Sequence, residues 1–169
     1  KNLGDLKPGL NVLLAQKTEG ASTKQTRNRA GKTSFIETVH FLTGSEAGPD
    51  SIFRTPELAE YTFGMDFDLK DARTVVERSG SAKAKIYVTT PPAAKRKLSA
   101  TDWGTFLGEE MFGLSSLEAA GSKPPSFRSL FAYFVRRQMS GAFTTPEKQA
   151  TMQGTGDMQM ALMFLLGLD

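Results

Sequence analysis

The stretch Thr26-Arg27-Asn28-Arg29-Ala30-Gly31-Lys32-Thr33-Ser34 (TRNRAGKTS) decides how this chain is interpreted. Its last residues follow the phosphate-loop pattern G-x-x-x-x-G-K-S/T, with threonine at the position of the first glycine. In such a loop, backbone N–H groups wrap a polyphosphate and the lysine adds positive charge at the outer phosphates. The hydroxyl residue binds Mg²⁺, and the helix that follows points its positive end at the anion. Gly31, Lys32 and Thr33 match, and the pattern predicts a phosphate-binding loop.

The flanking sequence supplies part of the context that such a loop needs. Leu10 to Ala15 (LNVLLA) is a short apolar run and predicts a buried strand. Lys17 to Gln25 is polar and predicts a loop, longer than the usual junction between a strand and a phosphate loop. From Gly31 to Leu42 the apolar residues recur at helical spacing, and Gly44 predicts the helix end.

The rest of the chain predicts a mixed α/β fold. Tyr61 to Leu69 is apolar at every second position, which indicates a strand. Two shorter strands follow, and short connections predict an antiparallel meander. Further boundaries are predicted as follows: strands at 74–77 and 85–89, a turn at Gly80-Ser81, a basic connection at 91–97, a polar loop at 139–155, helix N-caps at Ser99 or Thr101, at Ser126 and at Asp157, and a helix stop at Gly167.

Composition excludes several classes of protein. The 169 residues contain no cysteine and one histidine, which rules out a disulfide scaffold, a thiolate metal site and a multi-histidine site. The net charge of +3 permits contact with nucleic acid without requiring it. No apolar run approaches the roughly 20 residues that span a bilayer. We therefore expect a cytoplasmic protein with no membrane partner.

Several segments resemble SMC-like ATPases, the ABC-type class that includes SMC, RecF and RecN proteins. Asn28 followed by A-G-K-T-S resembles their G-x-N-G-x-G-K-S/T loop, and GLNVLLAQ resembles the strand before it. YFVRRQMSGAF resembles the segment that carries their Q-loop glutamine, here Gln138, and the final LMFLLGLD resembles the start of their coiled coil. The resemblance covers nearly the whole chain. It is closest to bacterial phage-defence proteins of the Lamassu type, from which Arg29 departs because glycine is usual there.

The resemblance implies a P-loop NTPase fold, namely the N-terminal lobe of an ATPase head over residues 1–169, with an antiparallel β portion. It implies Mg-ATP as the cofactor, with Lys32 at the outer phosphates, Thr33 on Mg²⁺, and Gln138 sensing Mg²⁺ and the attacking water. The implied partners are the C-terminal half of the same head, a second head in a homodimer, DNA, and a nuclease effector or other defence-operon subunit. The implied nucleotide-binding residues are Asn28, Arg29, Ala30, Gly31, Lys32, Thr33 and Ser34.

Other interpretations stay open. No acidic strand end for a general base and no signature motif is present, so we expect the chain by itself not to hydrolyse ATP. A degenerate loop, suggested by Thr26 and Arg29, would instead make a structural or partner-binding lobe. A different P-loop enzyme, such as a kinase or GTPase, would need motifs that are not found.

Several other residues have two possible interpretations. A basic cluster either contacts DNA or is a solvated edge, and we favour the edge: Lys83, Lys85, Lys95, Arg96 and Lys97. Asp66 and Asp68 could bind a metal but are expected to face solvent, whereas His40, Trp103, Phe106 and Phe131 are expected in the core.

Overall fold

The computed structural model describes residues 7, 9–12, 32–115 and 124–168. The described part is mixed α/β, as predicted, with one sheet of four strands that follow one another in chain order, and every neighbouring pair is antiparallel. The P-loop NTPase fold stays a prediction. The elements are α1 (Lys32–Leu42), β1 (Thr62–Leu69), β2 (Ala72–Ser79), β3 (Ile86–Thr89), β4 (Arg96–Leu98), α2 (Ala100–Phe112), α3 (Phe127–Phe134) and α4 (Thr155–Leu166), with 3₁₀ turns at Ile52–Arg54 and Gln138–Ser140.

The alternating pattern from Tyr61 to Leu69 predicted a strand, and β1 forms there, at Thr62–Leu69. Phe63, Met65 and Phe67 lie on the face of the sheet that packs against the core, and Leu69 is buried in it. The residues between them are exposed, because successive side chains of a strand point to opposite faces. A two-residue turn, in which Lys70 has φ +52°, leads into β2, and Leu69 pairs with Ala72. The predicted meander is confirmed.

The fourth strand differs from the prediction. Residues 91–97 were expected to form a connection, but Arg96 and Lys97 belong to β4, which pairs with β3. Leu98 lies opposite the fully buried Ile86 and packs against the core. This pairing, rather than any periodicity in three residues, makes the segment a strand.

The core lies where α1 and α2 pack against the sheet. Phe41, Leu42, Ile86, Trp103 and Leu107 are at most 1% exposed. The indole N–H of Trp103 donates to the Leu42 carbonyl oxygen over 2.9 Å, so a polar group joins the two helices inside the apolar cluster. The predicted core positions Trp103 and Phe131 are buried, and Phe106 is partly buried against them.

Capping residues set most of the helix boundaries. Ser99 accepts the Asp102 N–H at the start of α2, and Ser126 accepts the Ser129 N–H at the start of α3, as predicted. Gly167 ends α4 in the left-handed conformation, also as predicted. The prediction for Asp157 is wrong, because α4 begins at Thr155 and Asp157 lies inside its first turn.

The predicted strand at 10–15 is wrong for its described part. Residues 10–12 have no regular secondary structure, and Leu10 and Val12 are 94% and 65% exposed. The Asn11 side chain donates to the carbonyls of Lys7 and Gly9 and accepts the Lys7 N–H, so it holds a local turn that competes with a strand. Residues 13–15, like the predicted loop at 17–25, lie outside the described residues.

Among the described helices, none has both the length and the apolar character needed to cross a membrane.

Candidate nucleotide site and the adjacent cavity

The predicted phosphate-binding helix is confirmed as a helix. α1 begins at Lys32, and Thr33 and Ser34 in its first turn are exposed. The first turn contains no acidic residue, so no carboxylate of its own occupies the positive end of the helix. The predicted loop residues Asn28, Arg29, Ala30 and Gly31 lie outside the described residues.

The opposite end of α1 is tightly held. Gly44, at φ +95°, closes the helix with two backbone bonds: its own N–H donates to Phe41, and the Ser45 N–H donates to His40. The buried guanidinium of Arg78 donates to the carbonyls of Phe41 (2.5 Å) and Ser45 (2.7 Å). A cation therefore meets the negative end of the helix dipole, and burial lowers the pKa of Arg78 to about 10.

Gln138 is exposed and begins the 3₁₀ turn after α3. The preceding residue, Arg137, forms a two-pronged ion pair with Glu37, in which its Nε donates over 3.0 Å. Glu37 lies one helical turn beyond Thr33, so the chain at residue 137 lies beside the middle of α1. The metal-sensing role of Gln138 stays a prediction.

His40 is the hydrogen-bonded core histidine that was predicted. It is fully buried; its Nε2 lies 2.7 Å from the Val135 carbonyl oxygen, and its Nδ1 lies 2.9 Å from Nη2 of Arg128. Because a guanidinium can only donate, Nδ1 accepts and the proton is on Nε2. Burial, followed by the charge of Arg128, lowers the pKa of His40 to about 4, so the ring is neutral at pH 7.

Arg128 has no carboxylate partner within ion-pair distance among the described residues. Its hydrogen bonds go to the neutral acceptors His40 and Thr43 Oγ1, the latter over 3.2 Å. Burial lowers the pKa of this guanidinium to about 10, and the charge of Arg137 acts in the same direction. Sequence reasoning missed Arg128, whose only signal was a charge at the second position of an apolar helix.

A cavity of about 270 Å³ lies between α1, α3 and the segment 138–157. Its lining includes Arg128, Arg137 and His40, together with the polar side chains of Ser126, Ser140 and Gln149. The one carboxylate in its lining, Asp157, is bonded to Ser129 Oγ (2.9 Å) and to Gln153 Nε2 (2.7 Å). The lining therefore has more positive than negative charge.

Three of the five side chains in the basic cluster at residues 83–97 contact other parts of the protein. Lys83 donates to the Ala47 carbonyl, Lys95 pairs with Glu77, and the Arg96 guanidinium lies 4.9 Å from the centre of the Phe106 ring.

The two candidate metal-binding carboxylates lie on the exposed side of β1. Asp66 and Asp68 face solvent, as expected, and the hydrogen bonds from Arg73 lower the pKa of Asp66. In the described ranges, no group of three or more histidine, aspartate or glutamate side chains could hold a metal ion.

Comparison with protein-family models, characterised proteins and solved structures found no match to this chain.

Proposed function

We propose that this chain is the nucleotide-binding lobe of an SMC-like ATPase head and binds Mg-ATP at the N-terminal end of α1. One observation carries the proposal: α1 begins at the lysine of the G-K-T-S run, Thr33 and Ser34 in its first turn are exposed, and that turn contains no acidic residue. A helix start of this kind offers unpaired N–H groups and a positive dipole to a polyphosphate.

Three residues have assigned roles under this proposal. Lys32 neutralises charge at the outer phosphates, and the Thr33 hydroxyl is a ligand of Mg²⁺. Gln138 contacts a water molecule bound to the metal. The ion pair between Arg137 and Glu37 supports the last assignment, because it holds the chain next to Gln138 against the helix that carries Thr33.

The wider function rests on the family resemblance. Two heads would enclose two nucleotides, and a second lobe would contribute the general base and the signature motif. Engagement of the heads would then control binding of DNA or the activity of a nuclease partner, in genome maintenance or defence against phage.

Calorimetric titration of the chain with ATP and Mg²⁺ tests the proposal. Lys32→Ala should weaken binding at least about tenfold, the size expected for a lost hydrogen bond to a charged group. Lys85→Ala is the matched control, because it removes the same charge from an exposed position before β3 and should bind as the parent does. Equal affinity of the Lys32→Ala variant and the parent would contradict the proposal.

A lobe without nucleotide binding is the alternative, favoured by Thr26 and Arg29 at positions where glycine is usual. It predicts no heat of binding for the parent chain. In either case the chain alone should not turn over ATP; turnover that Lys32→Ala abolishes would show that the general base lies within these residues.

A further inference from the structure

We propose that the cavity between α1, α3 and the segment 138–157 is a binding site for a phosphate group, with Arg128 as its central cation. Neither Thr33 nor Gln138, which are assigned above to the nucleotide site, lines this cavity. His40, in its wall, follows Lys32 by eight residues, which is about 12 Å along a helix axis at 1.5 Å per residue.

The first argument is charge balance. Arg128 lines the cavity and has no carboxylate within ion-pair distance in the described part of the chain. Glu37 is engaged by Arg137, and Asp157 is engaged by Ser129 and Gln153. Among the described residues the Arg128 guanidinium is hydrogen-bonded only to neutral acceptors, and the nearby Glu37 carboxylate is already paired with Arg137, so Arg128 lacks the direct counterion that normally offsets the cost of burial. An anion in the cavity supplies that counterion.

The second argument is the number of unused donors. Arg128 has five N–H groups and uses two of them, for Thr43 and His40. The hydroxyl of Ser140 and the side-chain amide of Gln149 make no hydrogen bonds within the described residues, although both line the cavity. A guanidinium combined with neutral donors from other elements suits the several acceptor oxygens of a phosphate.

The third argument is the size of the cavity, together with the neutral protonation state of His40. A volume of about 270 Å³ lies just below the range of about 300–1,000 Å³ that accommodates drug-sized ligands, so the cavity suits a small anion or one group of a larger molecule. The neutral ring of His40 keeps Nδ1 as an acceptor for Arg128, and this bond orients the guanidinium in the wall.

Calorimetric titration with inorganic phosphate, at fixed ionic strength in chloride, tests the site. Arg128→Gln should weaken binding by about tenfold or more, since a charged hydrogen-bond partner is lost. Arg54→Gln is the matched control: this exposed arginine makes no side-chain hydrogen bond or ion pair with the described residues, so its loss should leave the affinity unchanged. Lys32→Ala should also leave it unchanged, and this separates the cavity from the nucleotide site.

A second set of measurements covers the case in which Arg128→Gln disturbs folding. The double change Ser140→Ala with Gln149→Ala removes two donors without touching the bonds of His40, and it should weaken phosphate binding several-fold. The His40 ring resonances of the parent should shift on binding, and the pKa of His40 should rise because an anion stabilises the imidazolium.

Two outcomes would overturn the proposal. One is phosphate binding that Lys32→Ala abolishes and Arg128→Gln leaves intact, which would place the anion at the start of α1. The other is no saturable binding by the parent of either inorganic phosphate or glycerol 3-phosphate. Saturable binding of either that is lost in Arg128→Gln supports the site, and the tighter of the two tells whether the phosphate is free or carried on a larger molecule.

Discussion

The buried, neutral His40 should make the stability of this protein fall on mild acidification. In the unfolded chain the imidazole has a pKa near 6.5, whereas in the folded protein burial and the charge of Arg128 lower it to about 4. Arg137 acts in the same direction as Arg128, and the Val135 carbonyl and Glu37 oppose it. The contribution of His40 to stability is therefore fully present above pH 6.5 and is lost as the pH falls to about 4.

The magnitude follows from the two pKa values. Between pH 6.5 and about 4 the unfolded state binds a proton that the folded state does not, so the free energy of unfolding decreases as the pH falls. At 1.36 kcal/mol per pH unit, the difference amounts to roughly 3 kcal/mol. Below pH 4 both states are protonated at His40, and this residue contributes no further change.

Urea denaturation between pH 7.5 and 4, for the parent and for His40→Gln, measures this contribution. The glutamine amide offers one donor for Val135 and one acceptor for Arg128 but does not titrate. The other ionisable groups are common to both proteins, so the stability advantage of the parent over the variant should shrink by roughly 3 kcal/mol across the range. A constant difference between the two curves would refute the reasoning. Since the chain has one histidine, its ring resonances also give the folded-state pKa directly.

Three substitutions test the packing, each measured by urea denaturation. Gly80→Ala should cost about 3 kcal/mol or more, because its Cβ would lie 1.8 Å from the Phe53 carbonyl oxygen; a cost below 1 kcal/mol would contradict that contact. Gly104→Ala should stabilise α2 by roughly 0.5–1 kcal/mol, because no described residue outside the helix comes within 4 Å of the added Cβ. Trp103→Phe should cost about 1–3 kcal/mol, because the Leu42 carbonyl loses the indole N–H, and an unchanged stability would show that this hydrogen bond contributes nothing.

Local signals predicted much of the fold. Ser99 and Ser126 identified two helix starts, and Gly44 and Gly167 identified two helix ends, because a cap acts within a few residues of its own position. The same reasoning failed at Asp157, because Gly154 takes the capping position three residues earlier than the apolar pattern suggested. β4 was missed because tertiary pairing with β3 defines it.

Of the two candidate sites, one could be predicted from the sequence and the other could not. The start of α1 is visible in the sequence, because glycine, lysine and a hydroxyl residue are contiguous there. The cavity is not, since the residues of its wall are far apart in the chain: His40 and Arg128 are separated by 88 positions. Only the folded arrangement shows that the Arg128 guanidinium bonds to α1 and that no carboxylate of the described ranges pairs with it.

The clamp on the C-terminal end of α1 determines how this helix can respond to events at its other end. Trp103 from α2 and Arg78 from β2 hold consecutive carbonyls of the last turn, Leu42 and Phe41, from two different elements. This 11-residue helix, about 16 Å long, is therefore anchored at its C-terminal end to the sheet and to α2, and along its length by the contacts of Glu37 and His40, whereas Thr33 and Ser34 at its start are exposed. In hydrogen exchange, the amides of the last turn should be the slowest of the helix.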